Sequence, residues 1–144
     1  MELIGVQIPE SWRLVRLGDF VESEKGKKPK HQQKMPDERY VYPYVDIEAF
    51  EENIIKSYAA GDNCRFCSVD DFLMVWDGSS SGLVGKGMDG ALGSTLVRIN
   101  FPGILNEYAY YFLQSKYLQI NSRAKGSGTP HVDSDLLWNY LFTI

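Results

Sequence analysis

The chain has 144 residues, of which 44% are hydrophobic and 24% are charged, and its formal net charge is −4. This length predicts a single domain over residues 1–144 with a core of ordinary size. The acidic balance argues against a nucleic-acid binder that ignores sequence, because such proteins carry a basic surplus. No apolar run is long enough to span a membrane and no leader precedes the first residues, so we expect a cytoplasmic chain.

In chain order, the first predicted element is a short helical turn at Val15–Val21, after an entry at Pro9–Trp12. The next segment, Lys25–Lys34, holds five lysines and no acid, and we call it the lysine loop. Its glycine and prolines predict irregular structure. On charge alone it fits either contact with a polyanion or a solvated loop. The acidic residues at Glu48–Glu52 are expected to face away from any bound polyanion and to suit a protein partner.

Three further segments predict strands. Arg39–Ile47 is rich in aromatic and β-branched residues, and its Pro43 indicates a sheet edge or a break. Phe66–Trp76 reads as a turn at Asp70 and Asp71 followed by a buried strand. Ala91–Ile99 is the third strand.

Leu105–Ile120 is the one long helical pattern, and Asn106 is placed to cap its start. A polar loop at Arg123–Val132 and a terminal apolar segment follow. The predicted fold is α+β: a single compact domain with a twisted, mostly antiparallel sheet, one main helix and long polar loops. Helical spacing of Tyr108, Tyr110, Tyr111 and Tyr117 favours packing over base stacking. The residues expected in the core are Trp12, Leu17, Phe20, Tyr44, Phe72, Met74, Trp76, Leu96, Ile99, Tyr111, Phe112 and Leu113.

Six of the 13 glycines lie between Val75 and Thr95. Gly85, Gly87 and Gly90 match G-x-G-x-x-G, but a dinucleotide site requires a helix to begin there, and a β-like run follows. A phosphate-binding P-loop also fails, because Gly87 follows Lys86 where Ser or Thr should bind magnesium. A hairpin or connecting loop fits better. It leaves unexplained the hydroxyl-rich segment Asp77–Gly82, here called the serine loop, which suits contact with polar edges or a sugar-phosphate backbone.

The order of these features resembles the target recognition domain of the specificity (S) subunit of type I restriction–modification systems. The opening "IPESWRLVRLGDFV" is similar to the family's proline, tryptophan, leucine-glycine-aspartate block. Five later blocks follow in the family's order, and the resemblance covers nearly the whole chain. Their residues are Tyr42–Ile47, Asp70–Gly82, Gly85–Ile99, Glu107–Ser115 and Ala124–Leu137.

The resemblance implies a noncatalytic DNA reader that recognises one half of a split target. Its partners would be double-stranded DNA, methyltransferase (M) subunits and, through them, a restriction (R) subunit. S-adenosylmethionine, ATP and magnesium would belong to those subunits, and the domain itself would need no cofactor. Family members usually carry two such domains joined by long spacer helices. This sequence has one and stops at Ile144, so we expect an isolated domain or a fragment of a larger subunit.

The residues themselves offer little chemistry. None of the nine lysines has Asp or Glu two positions before it, so a common step of metal-dependent nucleases is missing. A Pro-Pro loop that would hold a flipped base for amino-methylation is also missing. Cys64 and Cys67 have the spacing of a zinc half-site, but only His31 and His131 could complete it, and both are far away in sequence. We therefore expect no catalysis and no metal.

Three loops are candidates for DNA contact. Lysines would hold phosphates, with affinity that falls steeply with salt, and glutamines have the geometry to pair with adenine. The candidates are Lys25, Lys27, Lys28, Lys30, His31, Gln32, Gln33 and Lys34 in the first loop, Ser79, Ser80, Ser81 and Lys86 in the second, and Lys125, Ser127, Thr129 and His131 in the third. The alternatives are a protein-interaction or scaffold domain with a solvated lysine loop, and a nucleotide-binding enzyme that uses the glycine cluster.

Overall fold

The computed structural model describes residues 12–103 and 105–143, together with the backbone of two short strands before them. The predicted entry at Pro9 lies outside the described residues. Within the described ranges, no helix combines the length and the apolar character needed to cross a bilayer.

The strands in chain order are β1 (Glu2–Leu3), β2 (Val6–Gln7), β3 (Leu14–Arg16), β4 (Glu22–Lys25), β5 (Gln32–Gln33), β6 (Tyr42–Val45), β7 (Tyr58–Ala59), β8 (Phe66–Cys67), β9 (Phe72–Val75), β10 (Val84–Lys86), β11 (Gly90–Leu92), β12 (Leu96–Asn100) and β13 (Leu141–Thr143). The helices are α1 (Ile47–Glu52), α2 (Leu105–Ser115), α3 (Tyr117–Ser122) and α4 (Ser134–Trp138), with a 3-10 turn at Leu17–Asp19. That turn is the helical part of the predicted Val15–Val21 element. Val15 itself lies in β3, which pairs with β13.

An antiparallel sheet of four strands, in the order β10-β9-β12-β4, lies at the centre of the molecule. All four residues of β9 are buried. Phe72 and Met74 pack with the helices on one face, while Leu73 and Val75 pack with the second sheet on the other. Because successive side chains of a strand point to opposite faces, this double burial requires the continuous apolar run that predicted a buried strand.

The helical layer covers one face of this sheet and contains the larger core cluster. Leu113 and Ile120, from α2 and α3, are at most 1% exposed, as are Leu17 and Leu137. Tyr110 stacks on Phe72 with ring centroids 4.3 Å apart. Full burial of a Leu or Ile side chain stabilises the fold by about 1.5–3 kcal/mol. These contacts hold the helices on the sheet.

The second sheet has five strands in the order β5-β7-β6-β11-β8. Pro43 lies in β6, which is an inner strand, so of the two predicted alternatives the sheet edge is wrong, and a break in strand pairing follows the proline instead. The N-terminal half of β6 pairs with β7 and its C-terminal half pairs in parallel with β11. The strand tolerates proline because the next amide, that of Tyr44, makes the bond to Ser57 O.

The glycine-rich segment, predicted as a hairpin or connecting loop between two strands, itself contains a strand, β10, which forms a hairpin with β9 and places Val84 opposite Met74. No helix begins at the G-x-G-x-x-G match; β11 follows instead. The strand predicted at Ala91–Ile99 is two strands, because a turn at Ser94 and Thr95 carries the chain from the five-stranded sheet to the four-stranded one.

The predicted helix Leu105–Ile120 is two helices. The amide of Lys116 bonds to Leu113 O, a tighter turn than an α-helix makes, and α3 begins at the next residue. Asn106 lies inside α2 rather than at its cap, and its side chain accepts from the amide of Phe101. Neither α1 nor α4 was expected from the sequence.

Most of the predicted core is buried or packs against buried residues. Two predictions are wrong: Trp12 is 51% exposed and Tyr111 is 56% exposed. Tyr111 faces outward because its neighbour Tyr110 occupies the inner face of α2. The fold class is confirmed as α+β with mainly antiparallel strands, although the strands divide between two principal sheets.

Candidate nucleic-acid interface

Strand register brings several loops to one end of the four-stranded sheet. Val75 is opposite Leu96, and Lys25 is opposite Val97. The C-terminal ends of β9 and β4 and the N-terminal ends of β10 and β12 therefore meet at the same end, which we call the loop end. The serine loop and the lysine loop both leave the sheet there.

An ion pair joins these two loops. Lys25 Nζ lies 2.7 Å from Asp77 Oδ2, and the Asp77 side chain is only 23% exposed. Lys25 is thus partly neutralised inside the protein. It contributes less positive charge to the surface than the sequence suggests.

The third loop, residues 125–131, is attached to the same place. Gly78 N donates to Pro130 O at 2.8 Å, and Val132 N donates to Trp76 O at 2.9 Å. The loop closes on itself, because the amides and carbonyls of Lys125 and His131 exchange two bonds of 2.8 Å. Its four candidate contacts, Lys125, Ser127, Thr129 and His131, are all exposed.

Within the serine loop, the three serines differ in exposure. Ser79 is exposed and Ser80 partly so, whereas Ser81 is fully buried. Gly82 explains this burial, because a Cβ at that residue would lie 2.7 Å from Ile120 Cγ2, so the chain there lies against α3. The predicted contact role of Ser81 does not fit this position, since its hydroxyl does not reach the surface.

The lysine loop crosses from one sheet to the other. Gly26 N donates to Leu96 O and Lys27 N donates to Leu92 O. Beyond this crossing the other four lysines of the loop project into solvent: Lys27, Lys28, Lys30 and Lys34. Lys27 Nζ reaches Asn63 Oδ1 at 3.4 Å. The exposed ammonium groups are suited to phosphate contact.

The remaining candidates of the lysine loop are engaged within the protein. His31 Nδ1 lies 2.7 Å from Asp62 Oδ2, and this hydrogen bond holds the pKa of the Asp62 carboxyl below its usual range. Gln33 Nε2 donates to Met35 O and Asp37 Oδ2. Gln32 Oε1 accepts from Ser57 Oγ. Both glutamines lie in β5, a strand that the sequence did not predict. The two bonds from Gln33 Nε2 use its amide hydrogens, so Gln33 must exchange partners to donate to a base.

Lys86 lies away from the other candidates. It is opposite Phe72 at the far end of the β9–β10 hairpin and lines a separate pocket with Asp70 and Glu107. Three residues, Leu83 and the first two of β10, separate it from the serine loop, which corresponds to about 10 Å of extended chain. The structure therefore does not place Lys86 in the same surface as Ser79.

The acidic helix α1 borders the loop end, and the expectation that its acids face away from a nucleic acid stays a prediction. Ile47 lies beside Gly78, and the acidic residues share a surface groove with Thr95. Lys56 Nζ pairs with Glu48 at 2.7 Å and with Asp46 at 3.6 Å. The hydrogen bond to Glu48 raises the pKa of Lys56. The helix thus adds negative charge beside the loop end, partly offset by Lys56.

The two cysteines are isolated thiols. Cys67 is buried, and this burial raises its pKa to about 12, whereas Cys64 is partly exposed. Across residues 12–103 and 105–143, no cluster of three His, Cys, Asp or Glu side chains is arranged to hold a metal ion. The arrangement at the loop end offers hydrogen-bond donors, acceptors and positive charge.

One contributor was missed from the sequence. Asn121, in α3, donates its side-chain amide to Ser79 O at 2.9 Å and to Ser81 O at 3.0 Å. Asn121 lies 40 or more residues after both serines in the sequence. No local pattern indicates this contact.

Comparison with known proteins identifies the family. The family model of the type I restriction modification DNA specificity domain matches residues 9–144. The chain belongs to this family, which confirms the resemblance seen in its sequence blocks.

One relative by sequence and two solved structures are similar to the chain. The chain is 35% identical over 141 residues to the type I restriction enzyme MjaVIII specificity subunit of Methanocaldococcus jannaschii, covering 96% of this chain and 33% of that protein. The HsdS subunit from Thermoanaerobacter tengcongensis has the same fold, with a TM-score of 0.72 at 15% identity over 99% of this chain and 35% of that one. A chain from a structure of a type I R-M system has a TM-score of 0.74 at 15% identity, covering 98% of this chain and 36% of that one. The chain thus spans about a third of the length of these relatives.

Proposed function

We propose that the chain is a noncatalytic reader of double-stranded DNA that recognises one half of a bipartite target for a type I restriction–modification complex. The observation that carries this proposal is the meeting of three polar loops at one end of a rigid sheet, where Asp77 and Gly78 bond them together. Membership of the DNA specificity domain family supports it.

The two kinds of side chain at the loop end support a division of roles. The exposed lysines Lys27, Lys28, Lys30 and Lys34 would hold phosphates and set the position of the duplex. Ser79, Ser80, Thr129 and His131 would contact base edges, because short hydroxyls and an imidazole offer directional bonds. Methylation and cleavage would be carried out by M and R subunits, which would also hold S-adenosylmethionine, ATP and magnesium.

A test of this proposal starts from duplexes selected by the 144-residue chain out of a randomised pool. We expect a selected duplex to bind at least about tenfold more tightly than a scrambled duplex of equal composition, because each well-made base contact discriminates by about 1–3 kcal/mol. Fluorescence anisotropy from 50 to 200 mM salt should show a steep loss of affinity for both duplexes. Equal affinity for the two duplexes, or no binding at low salt, contradicts the proposal.

The alternative, a protein-interaction domain without DNA reading, is favoured by one observation. Large apolar side chains are exposed on the helical layer, with Leu118 at 81% and Tyr111 at 56%. Such a domain would show no salt-dependent binding of duplex DNA, so the same titration distinguishes the two functions.

A further inference from the structure

The side chain of Asn121, in α3, donates hydrogen bonds to the serine loop. Its amide group has two hydrogens, and each is used: one bonds to Ser79 O and the other to Ser81 O. The two carbonyls flank Ser80. One side chain thus fixes the backbone on both sides of the tip of the serine loop.

Packing of α3 against the serine loop also restrains the backbone of the loop. Gly82 has φ +96°, in the left-handed region that favours glycine, and it contacts Ile120 of α3. The buried hydroxyl of Ser81 has no hydrogen-bond partner within the described residues. Ser81 and Gly82 are therefore buried against α3, whereas the exposed Ser79 and the partly exposed Ser80 remain accessible to a ligand.

Base reading places strict demands on such a loop. A hydrogen bond to a base edge weakens steeply when donor and acceptor are misaligned, whereas a lysine on a flexible stem finds a phosphate from many positions. A loop already held in its binding shape also avoids the cost of ordering on association. The side chain that fixes the loop therefore affects sequence discrimination more than general affinity.

We propose that Asn121 is a positioning residue that holds the serine loop in the shape with which Ser79 and Ser80 read base edges. This inference rests on the proposed function. It assigns discrimination between sequences mainly to the serine loop and general affinity to the lysine loop.

The test compares Asn121→Leu with the unchanged chain and with Ser122→Ala. Leucine keeps the size and neutrality of asparagine but removes both donors. Ser122→Ala is the matched control, because Ser122 lies on the same helix and its hydroxyl bonds only within α3, to Gln119 O at 2.9 Å. We expect Asn121→Leu to weaken binding of the selected duplex about tenfold, because the serine loop must then be ordered when the duplex binds. Binding of the scrambled duplex should change less than about twofold, with the same salt slope.

Amide hydrogen exchange of residues 78–82, measured without DNA, provides a second readout. It should become faster in Asn121→Leu and stay unchanged in Ser122→Ala. Unchanged exchange in Asn121→Leu, or an equal loss of affinity for selected and scrambled duplexes, would overturn the inference. If the unchanged chain does not discriminate between the duplexes, the proposed function fails instead, and the exchange measurement still decides whether Asn121 holds the loop. Should Asn121→Leu not fold, Asn121→Ala also removes both donors and gives the same comparison.

Discussion

Reversing two charges, Lys27→Glu with Lys28→Glu, is expected to weaken duplex binding about 100-fold at 0.1 M salt. Each phosphate contact releases about 0.9 counterion from B-DNA, which corresponds to about a tenfold gain in affinity at this salt concentration. Both side chains are exposed next to the point where the lysine loop leaves the sheet. Selected and scrambled duplexes should lose affinity in equal proportion, and the slope of log affinity against log salt should fall by about two. Anisotropy titrations at several salt concentrations measure all three quantities.

The matched control compares the duplex affinities of Lys28→Glu and Lys86→Glu, each of which reverses a single charge at an exposed lysine. Lys86 lies at the opposite end of the β9–β10 hairpin, so its reversal should change affinity much less than that of Lys28. Retention of full affinity by the double variant, or equal losses from Lys28→Glu and Lys86→Glu, would refute the assignment of the lysine loop.

A single added methyl group, Gly26→Ala, is expected to destabilise the fold by about 3 kcal/mol. Gly26 lies where the chain crosses between the two sheets, and its amide bonds to Leu96 O. A Cβ there would overlap the backbone carbonyl oxygens of Leu92 and Gly93. Backbone atoms held by strand pairing cannot move aside as a side-chain end can, so the sheets must separate locally. The free energy of unfolding in urea measures this loss.

The control for Gly26→Ala is Gly103→Ala, where no atom of the described residues beyond the chain neighbours lies within 4 Å of the added Cβ. Gly103 has φ +56°, so alanine there costs about 1 kcal/mol through backbone strain alone. A loss at Gly26 no larger than the loss at Gly103 would show that the crossing is not closely packed.

The sequence predicted the elements whose signals are local. The run Phe72–Val75 indicated a buried strand because both of its faces are covered. The glycine-rich segment indicated a hairpin or connecting loop because its turns need backbone freedom, but the strand β10 within it was not predicted. The helix break at Lys116 left no such signal, since no glycine or proline marks it. Tyr111 was assigned to the core because two aromatic neighbours at adjacent helical positions cannot be ranked without the partner surface.

The candidate site was predicted as a set of loops, but their arrangement depends on long-range pairing. That Lys25 meets Asp77 follows from the antiparallel order of β4, β12 and β9, which spacing along the chain does not reveal. Lys86 was grouped with the serines because it is near them in sequence, yet the hairpin register carries it to the far end. Ser81 was grouped with Ser79 for the same reason, and its burial depends on α3, which lies 40 residues later.

The measurement that tests the central claim most directly is amide hydrogen exchange of the 144-residue chain with and without its selected duplex. Recognition through the loop end predicts protection at residues 26–34, 77–81 and 125–131, and unchanged exchange around Lys86 and at the start of α2. Protection centred on Lys86 and α2, with the three loops unaffected, would contradict the claim that these loops form the DNA-reading surface.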